Sequence, residues 1–273
     1  MKIIHFLSPI PSFIVLLFFI NFSLISSENN TEWYLNCSNS FSCGSIRDIN
    51  YPFWGGNRPA ECGHPALQLH CNSGEIPTIK IGNINYRILE INPETQILRI
   101  TREDLFGDVC PQEFVNTTID SQVFEFASDY VNLTIQYGCP QQLNFPVLFP
   151  HELSCSINGI TYQNGYIVPG AQGSGACRAS IFIPIRNSSF GLIGETSSLK
   201  QLIEGGFEVR WKLNSTDCSE CKKSEGNCGF DVKANRFACL CADNQFQSPD
   251  SPTCRNVMVN EERSPAGSGT HFH

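Results

Sequence analysis

Six cysteines crowd the C-terminal part of this 273-residue chain, and they constrain its fold more than any other feature. The gaps between them are two, six, ten, one and twelve residues, and they stand at Cys218, Cys221, Cys228, Cys239, Cys241 and Cys254. Few large apolar residues lie between them, so a hydrophobic core cannot hold this segment together and covalent cross-links must do so. The cluster therefore predicts a small stapled module and an oxidising compartment.

The N-terminus has the features of a secretory signal peptide. Lys2 provides a basic start, residues 13–20 form an unbroken apolar run, and small or polar residues follow up to Ser27. This order is typical of a cleaved signal, and the run is shorter than the ~20 apolar residues that a membrane span needs. We expect residues 1–27 to be removed and the mature chain to be secreted without a membrane span. A retained signal anchor is the alternative interpretation.

Cysteine and asparagine patterns indicate the same compartment. Fourteen cysteines allow seven disulfides. A zinc site at Cys218 and Cys221 with Cys239 and Cys241 is the competing interpretation, but the secretory context favours disulfides, so we expect no metal and no cofactor. Six Asn-x-Ser/Thr sequons predict glycosylation at Asn29, Asn36, Asn116, Asn132, Asn187 and Asn214.

Alternating apolar and polar residues predict a mainly β, disulfide-rich extracellular protein. Residues 76–81, 86–91 and 96–101 form a predicted three-stranded meander, because Gly82-Asn83 and Asn92-Pro93 supply the turns between them. Further strands are predicted at 123–126 and 131–137, which we expect to pair, and at 207–213, with one short helix at 198–204. We expect two β-rich lobes in contact, then the cysteine module at 218–254 and a disordered tail at 255–273.

An ordered set of short motifs occupies the N-terminal region. Cys43-Gly44 precedes Tyr51-Pro52-Phe53-Trp54, and Cys62-Gly63-His64-Pro65 and Leu69-His70-Cys71 follow. This run resembles the galacturonan-binding domain of plant wall-associated receptor kinases, and Asp104, Leu105 and Cys110 are similar to the end of that domain. The resemblance implies a galacturonan-binding-like domain over residues 36–110.

The C-terminal region resembles the companion C-terminal domain of the same kinases over residues 111–254. The similar segments are 206–211, 226–230 and 237–241. Both motif sets together are similar to the ectodomain of leaf-rust-resistance-type receptor-like kinases, which are plasma-membrane proteins of plant defence. The kinase signatures, a Gly-rich phosphate loop with HRD-like and DFG-like sequences, are not found in this sequence, so we expect no enzyme activity.

The Cys-x-Cys at Cys239 and Cys241 also resembles an EGF-like module. That resemblance implies the pairs Cys218–Cys228, Cys221–Cys239 and Cys241–Cys254, and it indicates either a stapled stalk or a protein-contact surface. For the eight other cysteines, 105 pairings are possible. Closure of short loops favours Cys62–Cys71 and Cys155–Cys177.

The resemblance implies binding of pectin or an oligogalacturonide at the cell wall without chemistry on it. Aromatic rings could stack on sugars, and arginine or lysine could bind uronate carboxylates. The candidate ligand-binding residues are Arg47, Tyr51, Phe53, Trp54, Arg58, Lys80, Arg87 and Arg99, with Arg102 on the same predicted meander. Structural roles remain open for the aromatic run, and a solvated strand face remains open for Lys80 and Arg99.

The charge of the chain limits the possible partners. Residues 28–110 hold six Lys and Arg residues against ten Asp and Glu residues, a net charge of −4. This charge would repel a polyanion at long range, so a pectic ligand needs a local basic patch. We expect no nucleic-acid partner. The alternative function is a protein- or peptide-binding module that competes with, or partners, full-length receptor kinases. A shortened receptor gene product is a further possibility, which transcript sequence beyond His273 would test.

Overall fold

The computed structural model describes residues 32–71, 76–127, 129–140, 149–151, 153–192, 196–242, 246–247 and 252–254. The predicted signal peptide, the sequon at Asn29 and the predicted tail lie outside the described residues. The strands are β1 (Phe41–Cys43), β2 (Ile46–Ile49), β3 (Trp54–Gly55), β4 (Gln68–His70), β5 (Thr78–Ile81), β6 (Ile84–Asn92), β7 (Ile97–Arg102), β8 (Phe124–Phe126), β9 (Tyr130–Tyr137), β10 (Phe149–His151), β11 (Cys155–Ile157), β12 (Ile160–Tyr162), β13 (Gly165–Pro169), β14 (Ala179–Arg186), β15 (Phe207–Trp211), β16 (Asn227–Asp231), β17 (Arg236–Leu240) and β18 (Phe246–Gln247). The α-helices are α1 over residues 32–38, α2 (Thr196–Gly205) and α3 (Ser215–Lys223).

A seven-stranded sheet in the order β3-β4-β5-β6-β7-β15-β8 forms the larger layer of the protein. The predicted meander is confirmed and forms the centre of this sheet, since β5 pairs antiparallel with β6, and β6 pairs antiparallel with β7. Ile79, Ile88 and Ile100 point into one core, because alternate strand residues face the same side of a sheet. A β-bulge between Ile88 and Glu90 shifts the alternation on β6 by one residue. Ile91, opposite Leu98, therefore packs against the core, and Glu90 does not.

The large sheet crosses the boundary predicted at residues 110 and 111. Strand β15 pairs with β7 through Phe207 opposite Ile100, and β8 pairs with β15 through Phe124 opposite Trp211. The predicted pairing of residues 123–126 with residues 131–137 is wrong. Strand β8 belongs to the large sheet, whereas β9 belongs to the four-stranded sheet. The C-terminal half therefore completes the core of the N-terminal half.

A four-stranded sheet in the order β10-β13-β9-β14 forms the second layer. Its core contains Ile135, Ile167 and Ile183 from three neighbouring strands. Helix α2, which confirms the helix predicted at 198–204, buries Leu199 in the same core. Its Ile203 carbonyl accepts a hydrogen bond from the Thr101 hydroxyl on β7, so α2 joins the two sheets.

The six-cysteine module folds as helix α3 followed by the small sheet of β16, β17 and β18. Its disulfides are Cys218–Cys228, Cys221–Cys239 and Cys241–Cys254, the three pairs that the EGF-like resemblance implies. Sulfur atoms of separate disulfides pack closely, with Cys239 Sγ 3.7 Å from Cys254 Sγ. The disulfides therefore form the centre of the module in place of an apolar core.

The six-cysteine module packs against the N-terminal domain and does not extend from it as a stalk. Asn227 donates a side-chain hydrogen bond to the Tyr34 carbonyl at 2.9 Å. Leu240 is buried with Cys37 and Cys62 in a small shared core. A Cβ atom added at Gly229 would lie 2.7 Å from the Glu61 carbonyl oxygen, so the two backbones approach closely there. The stalk interpretation is therefore wrong.

The two disulfides predicted from short loops, Cys62–Cys71 and Cys155–Cys177, are also wrong. The observed pairs are Cys37–Cys62, Cys43–Cys71, Cys110–Cys155 and Cys139–Cys177. A short sequence separation between two cysteines favours a disulfide only when the loop between them is flexible. The segment after Cys62 contains a short 3-10 helix, Pro65–Leu67, and then β4, which carries Cys71 away to Cys43.

Candidate functional site

A cavity of about 500 Å³ opens where the six-cysteine module meets the large sheet. Its apolar walls come from Tyr51, Pro93 and Trp211, and α3 supplies Lys222 and Lys223. Helix α3 begins at this cavity because Asn214 caps it, with Oδ1 accepting the Thr216 N–H at 3.0 Å. A mainly apolar concavity with a few charged groups is the usual form of a small-ligand site.

A second cavity of about 260 Å³ adjoins the first and shares two of its residues. Tyr51 and Pro93 line both cavities, and the second continues past them to Arg47 and Asp48 on β2. We name the two together the junction groove. It runs from Arg47, in the N-terminal domain, to Lys222 and Lys223, in the six-cysteine module.

Tyr51 forms the wall between the two parts of the junction groove. Its ring packs edge-on against Phe237 of the six-cysteine module, with centroids 5.7 Å apart. Burial, and secondarily the carboxylate of Asp217, raise the pKa of the Tyr51 phenol above its ordinary value. The hydroxyl therefore stays protonated at physiological pH and can donate a hydrogen bond to an acceptor in the groove.

Positive charge lies at both ends of the junction groove. Arg47 is exposed at one end, and Lys222 and Lys223 are exposed at the other. Asp48 is the single carboxylate residue among the described residues that line it. The groove is thus locally basic in a chain whose net charge is −8.

Three other residues of the predicted site lie in structural positions. Phe53 is 2% exposed and packs edge-on against Trp211 at 5.0 Å, although it also forms part of the floor of the smaller cavity. The Trp54 indole donates to the His64 carbonyl at 2.9 Å. Arg58 is 5% exposed and donates to the carbonyl oxygens of Asn39, Cys37 and Cys62.

The buried guanidinium of Arg58 organises the backbone around the first disulfide. Two of its acceptors are the carbonyls of Cys37 and Cys62, which are themselves joined by a disulfide. Burial lowers the pKa of Arg58 to about 10, which still leaves it charged at neutral pH. A group so enclosed by protein acceptors is not available to a ligand carboxylate.

Three cations of the predicted meander, Lys80, Arg87 and Arg99, lie on the face of the large sheet opposite its core. Lys80 is exposed on β5, and Arg87 stacks on Phe106 with Cζ 4.2 Å from the ring centroid. Arg99 pairs with Glu90 across the strands at 3.1 Å. These residues do not line the junction groove. Arg102 is buried in an ion pair with Asp104 at 2.7 Å.

Sequence reasoning missed Lys222, Lys223 and Trp211 as groove residues. The lysines directly follow Cys221 in the stapled module, far along the chain from the aromatic run. A basic pair within the cysteine cluster was the available signal, but nothing in the sequence shows that this cluster folds back against Tyr51.

The zinc alternative for the C-terminal cysteines conflicts with the covalent structure. The sulfur atoms of Cys239, Cys241 and Cys254 lie within 4.8 Å of one another, close enough in principle for a metal. Each belongs to a disulfide, however, and a metal ligand must be a thiolate. These sulfurs therefore serve as cross-links.

His64 links the N-terminal domain to the six-cysteine module. Its Nδ1 accepts the Ala66 N–H at 3.2 Å, and its ring packs edge-on against Phe230 with centroids 5.0 Å apart. Burial lowers the pKa of the His64 imidazole, and the nearby charge of Asp120 acts in the opposite direction. The neutral ring is the form that this contact requires, because a protonated Nδ1 cannot accept a hydrogen bond.

We expect the His64 contact to make the fold less stable in acid. The unfolded chain has a histidine pKa of about 6.5, so it binds the proton more readily than the folded chain, and stability falls as pH drops below about 6.5. The loss levels off below the folded pKa. Thermal unfolding of H64Q, which keeps an acceptor without a titrating ring, should show a smaller difference between about pH 7.5 and pH 5 than wild type. H70Q, at an exposed position on β4, is the control, and an unchanged pH dependence in H64Q would contradict this role.

Comparison with protein families gives two matches. The wall-associated receptor kinase galacturonan-binding family matches residues 37–102, and the wall-associated receptor kinase C-terminal family matches residues 155–244. The junction groove takes residues from both ranges: Arg47 and Tyr51 from the first, and Trp211, Lys222 and Lys223 from the second. No solved structure matches the chain.

Similar curated proteins include three receptor-like kinases of Arabidopsis thaliana. Leaf rust 10 disease-resistance locus receptor-like protein kinase-like 2.5 is 32% identical over 91% of this chain and 39% of its own length. The corresponding proteins 2.1 and 1.3 are 30% and 31% identical, over 82% and 95% of this chain and 36% and 35% of their own lengths. The chain thus spans between a third and two fifths of these relatives. Among the described residues, no helix combines the length and apolar character needed to cross a membrane.

Proposed function

This chain belongs to the family of plant receptor-kinase ectodomains that combine the wall-associated galacturonan-binding and C-terminal domains, and on that premise we propose that it binds a pectic polysaccharide. The observation that carries the proposal is the junction groove, in which an aromatic wall at Tyr51 lies between Arg47 and the lysine pair Lys222 and Lys223. We propose that the chain is secreted to the cell wall and acts there in defence.

The chemistry of a galacturonate chain fits the two kinds of surface in the groove. Each sugar carries one carboxylate, which a guanidinium or an ammonium group binds through charge-assisted hydrogen bonds. The half-buried ring of Tyr51, which lines both cavities, offers an apolar surface to a sugar ring, and its protonated hydroxyl offers a donor. Cations at both ends suit a ligand with repeated negative charges better than one with a single charge.

We propose binding without chemical change of the ligand. Glycoside hydrolysis commonly uses two carboxyl groups on opposite sides of the scissile bond. The described residues that line the groove include one, Asp48. Glu103 and Asp104 face Arg87 and Arg102 away from the groove. Any kinase activity of the longer relatives is outside this proposal.

Titration of de-esterified oligogalacturonides into wild type and charge variants tests the proposal. Each of R47Q, K222Q and K223Q should weaken binding about two- to fivefold, because an exposed ion pair contributes about 0.4–1 kcal/mol. Binding should fall with added salt, and a methyl-esterified oligomer should bind more weakly. K80Q is the matched control, because Lys80 is exposed on the opposite face of the large sheet and should leave binding unchanged.

Two results would contradict the proposal. Equal effects of K80Q and K223Q would show that general charge, not the junction groove, holds the ligand. Absence of binding to any wall polysaccharide, together with capture of a full-length receptor kinase, would favour the alternative of a protein-binding module.

A further inference from the structure

We propose that Asn214 carries an N-linked glycan that covers the entrance of the junction groove at α3, so that occupancy of this one sequon regulates access to the groove. The effect on ligand affinity rests on the function proposed above, whereas the effect on access to the groove does not. Asn214 begins a sequon, caps helix α3 and forms part of the wall of the larger cavity.

The sequon and the cavity wall are formed by the same residues. Asn214, Ser215 and Thr216 form an Asn-x-Thr sequon, and Asn214 and Ser215 line the 500 Å³ cavity. Asn214 is exposed, so the attachment point is accessible from solvent. A bulky, hydrated glycan attached to a wall residue must occupy space at the entrance of that cavity.

The hydrogen bonds of Asn214 set the direction in which a glycan leaves. Its Oδ1 accepts the Thr216 N–H at 3.0 Å as the cap of α3, and this identifies the other amide atom as Nδ2. Nδ2 donates to Asp217 Oδ1 at 3.0 Å. A glycan replaces one of the two hydrogens on Nδ2, so the other can still donate to Asp217 and the cap remains intact. The modified side chain therefore keeps its orientation.

The attachment point shares a cavity with the aromatic wall of the junction groove. Asn214 and Tyr51 both line the larger cavity, and Tyr51 also lines the smaller one. The sugar attached to Nδ2 thus begins beside the Asp217 side chain, between one and two turns of α3 before Lys222 and Lys223. A glycan at this position lies over the larger cavity.

The described sequons other than Asn214 do not line the junction groove. Asn116 is the best comparison, because its side chain is also held by the backbone: Oδ1 accepts the Phe182 N–H at 3.0 Å, beside the second sheet. Removal of the glycan at Asn116 should therefore leave the groove unaffected. This provides a control of the same chemistry at another place.

The test uses T216A, with T118A as the matched control, in the full chain secreted from a glycosylating eukaryotic host. T216A removes the Asn214 sequon but keeps the Asn214 side chain and the Thr216 N–H, so the helix cap survives. T118A removes the Asn116 sequon in the same way. Mass spectrometry of glycopeptides first measures the occupancy of Asn214 and Asn116 in wild type.

Access to the groove is measured without any ligand, by the rate at which an amine-reactive ester labels Lys222 and Lys223. We expect T216A to raise this rate severalfold relative to Lys80 in the same molecule, and T118A to leave the ratio unchanged. Enzymatic removal of glycans from wild type should reproduce the T216A result. For de-esterified oligogalacturonides, affinity should rise about three- to tenfold in T216A and remain constant in T118A.

Each outcome decides the inference. An unoccupied Asn214, or equal labelling of Lys222 and Lys223 in wild type and T216A, would overturn it. Faster labelling in T216A without binding of oligogalacturonides by either form would support glycan control of the groove and sink the proposed ligand. Binding that depends on Arg47 and Lys223 but not on T216A, with unchanged labelling, would support the ligand and sink glycan control.

Discussion

An R58M variant is expected to lose about 2–4 kcal/mol of unfolding free energy, because methionine fills similar space but leaves three carbonyl oxygens, two of them in buried contacts, without their donor. Arg58 is 5% exposed and donates to the carbonyls of Asn39, Cys37 and Cys62. The affected backbone carries the Cys37–Cys62 disulfide, so the loss should appear as a lower unfolding midpoint of the whole N-terminal domain. Urea unfolding followed by tryptophan fluorescence measures it.

The matched control is R47M, a second arginine close to the same aromatic run. Arg47 is exposed on β2 at one end of the junction groove. We expect R47M to change stability by no more than about 0.5 kcal/mol while it weakens oligogalacturonide binding. If R58M unfolded like wild type and lost only ligand affinity, then Arg58 would be a binding residue and its structural role would be wrong.

Replacement of Gly226 by alanine is expected to prevent correct folding of the six-cysteine module. A Cβ atom at this position would lie 2.5, 2.7 and 2.8 Å from the sulfur atoms of Cys239, Cys221 and Cys254. These sulfurs belong to two disulfides, so they cannot move as a flexible side chain would. Overpacking costs about 1–3 kcal/mol, and loss of either disulfide would remove about 2–4 kcal/mol more.

Peptide mapping by mass spectrometry measures the effect of G226A. We expect a smaller fraction of the Cys221–Cys239 and Cys241–Cys254 pairs in the secreted protein, and a lower yield. G173A is the control, because a Cβ atom at Gly173 would meet nothing within 4 Å. Native pairing and an unchanged melting temperature in G226A would contradict the close packing of sulfur around this glycine.

Local patterns explain which parts of the fold were predictable. The meander of β5, β6 and β7 was predicted because strand alternation and turn residues are properties of a few neighbouring positions. The location of β15 between β7 and β8 was not predictable in this way, since strands that pair over a long sequence separation carry no mark of their partner. The disulfides of the first eight cysteines depend on the same long-range placement.

The candidate site shows the same division residue by residue. Sequence chemistry selected Arg47 and Arg58 together, as two arginines near Tyr51. The fold separates them, because Arg58 is enclosed by backbone carbonyls whereas Arg47 faces a cavity. Lys222 and Lys223 joined Tyr51 only because the six-cysteine module packs against the N-terminal domain.

Composition, cysteine spacing and strand alternation are local properties of the chain, so they were enough to predict the β-rich class, the family and the cross-linked C-terminal module. The placement of that module depends on contacts between residues that are far apart in the sequence. The cysteine spacing is compatible with an extended stalk and with a docked module alike, since disulfides within a module restrict its own chain and not its neighbours. The contacts of Asn227 with Tyr34 and of Phe237 with Tyr51 hold the module in the docked form. In this form the six-cysteine module supplies one wall of the junction groove.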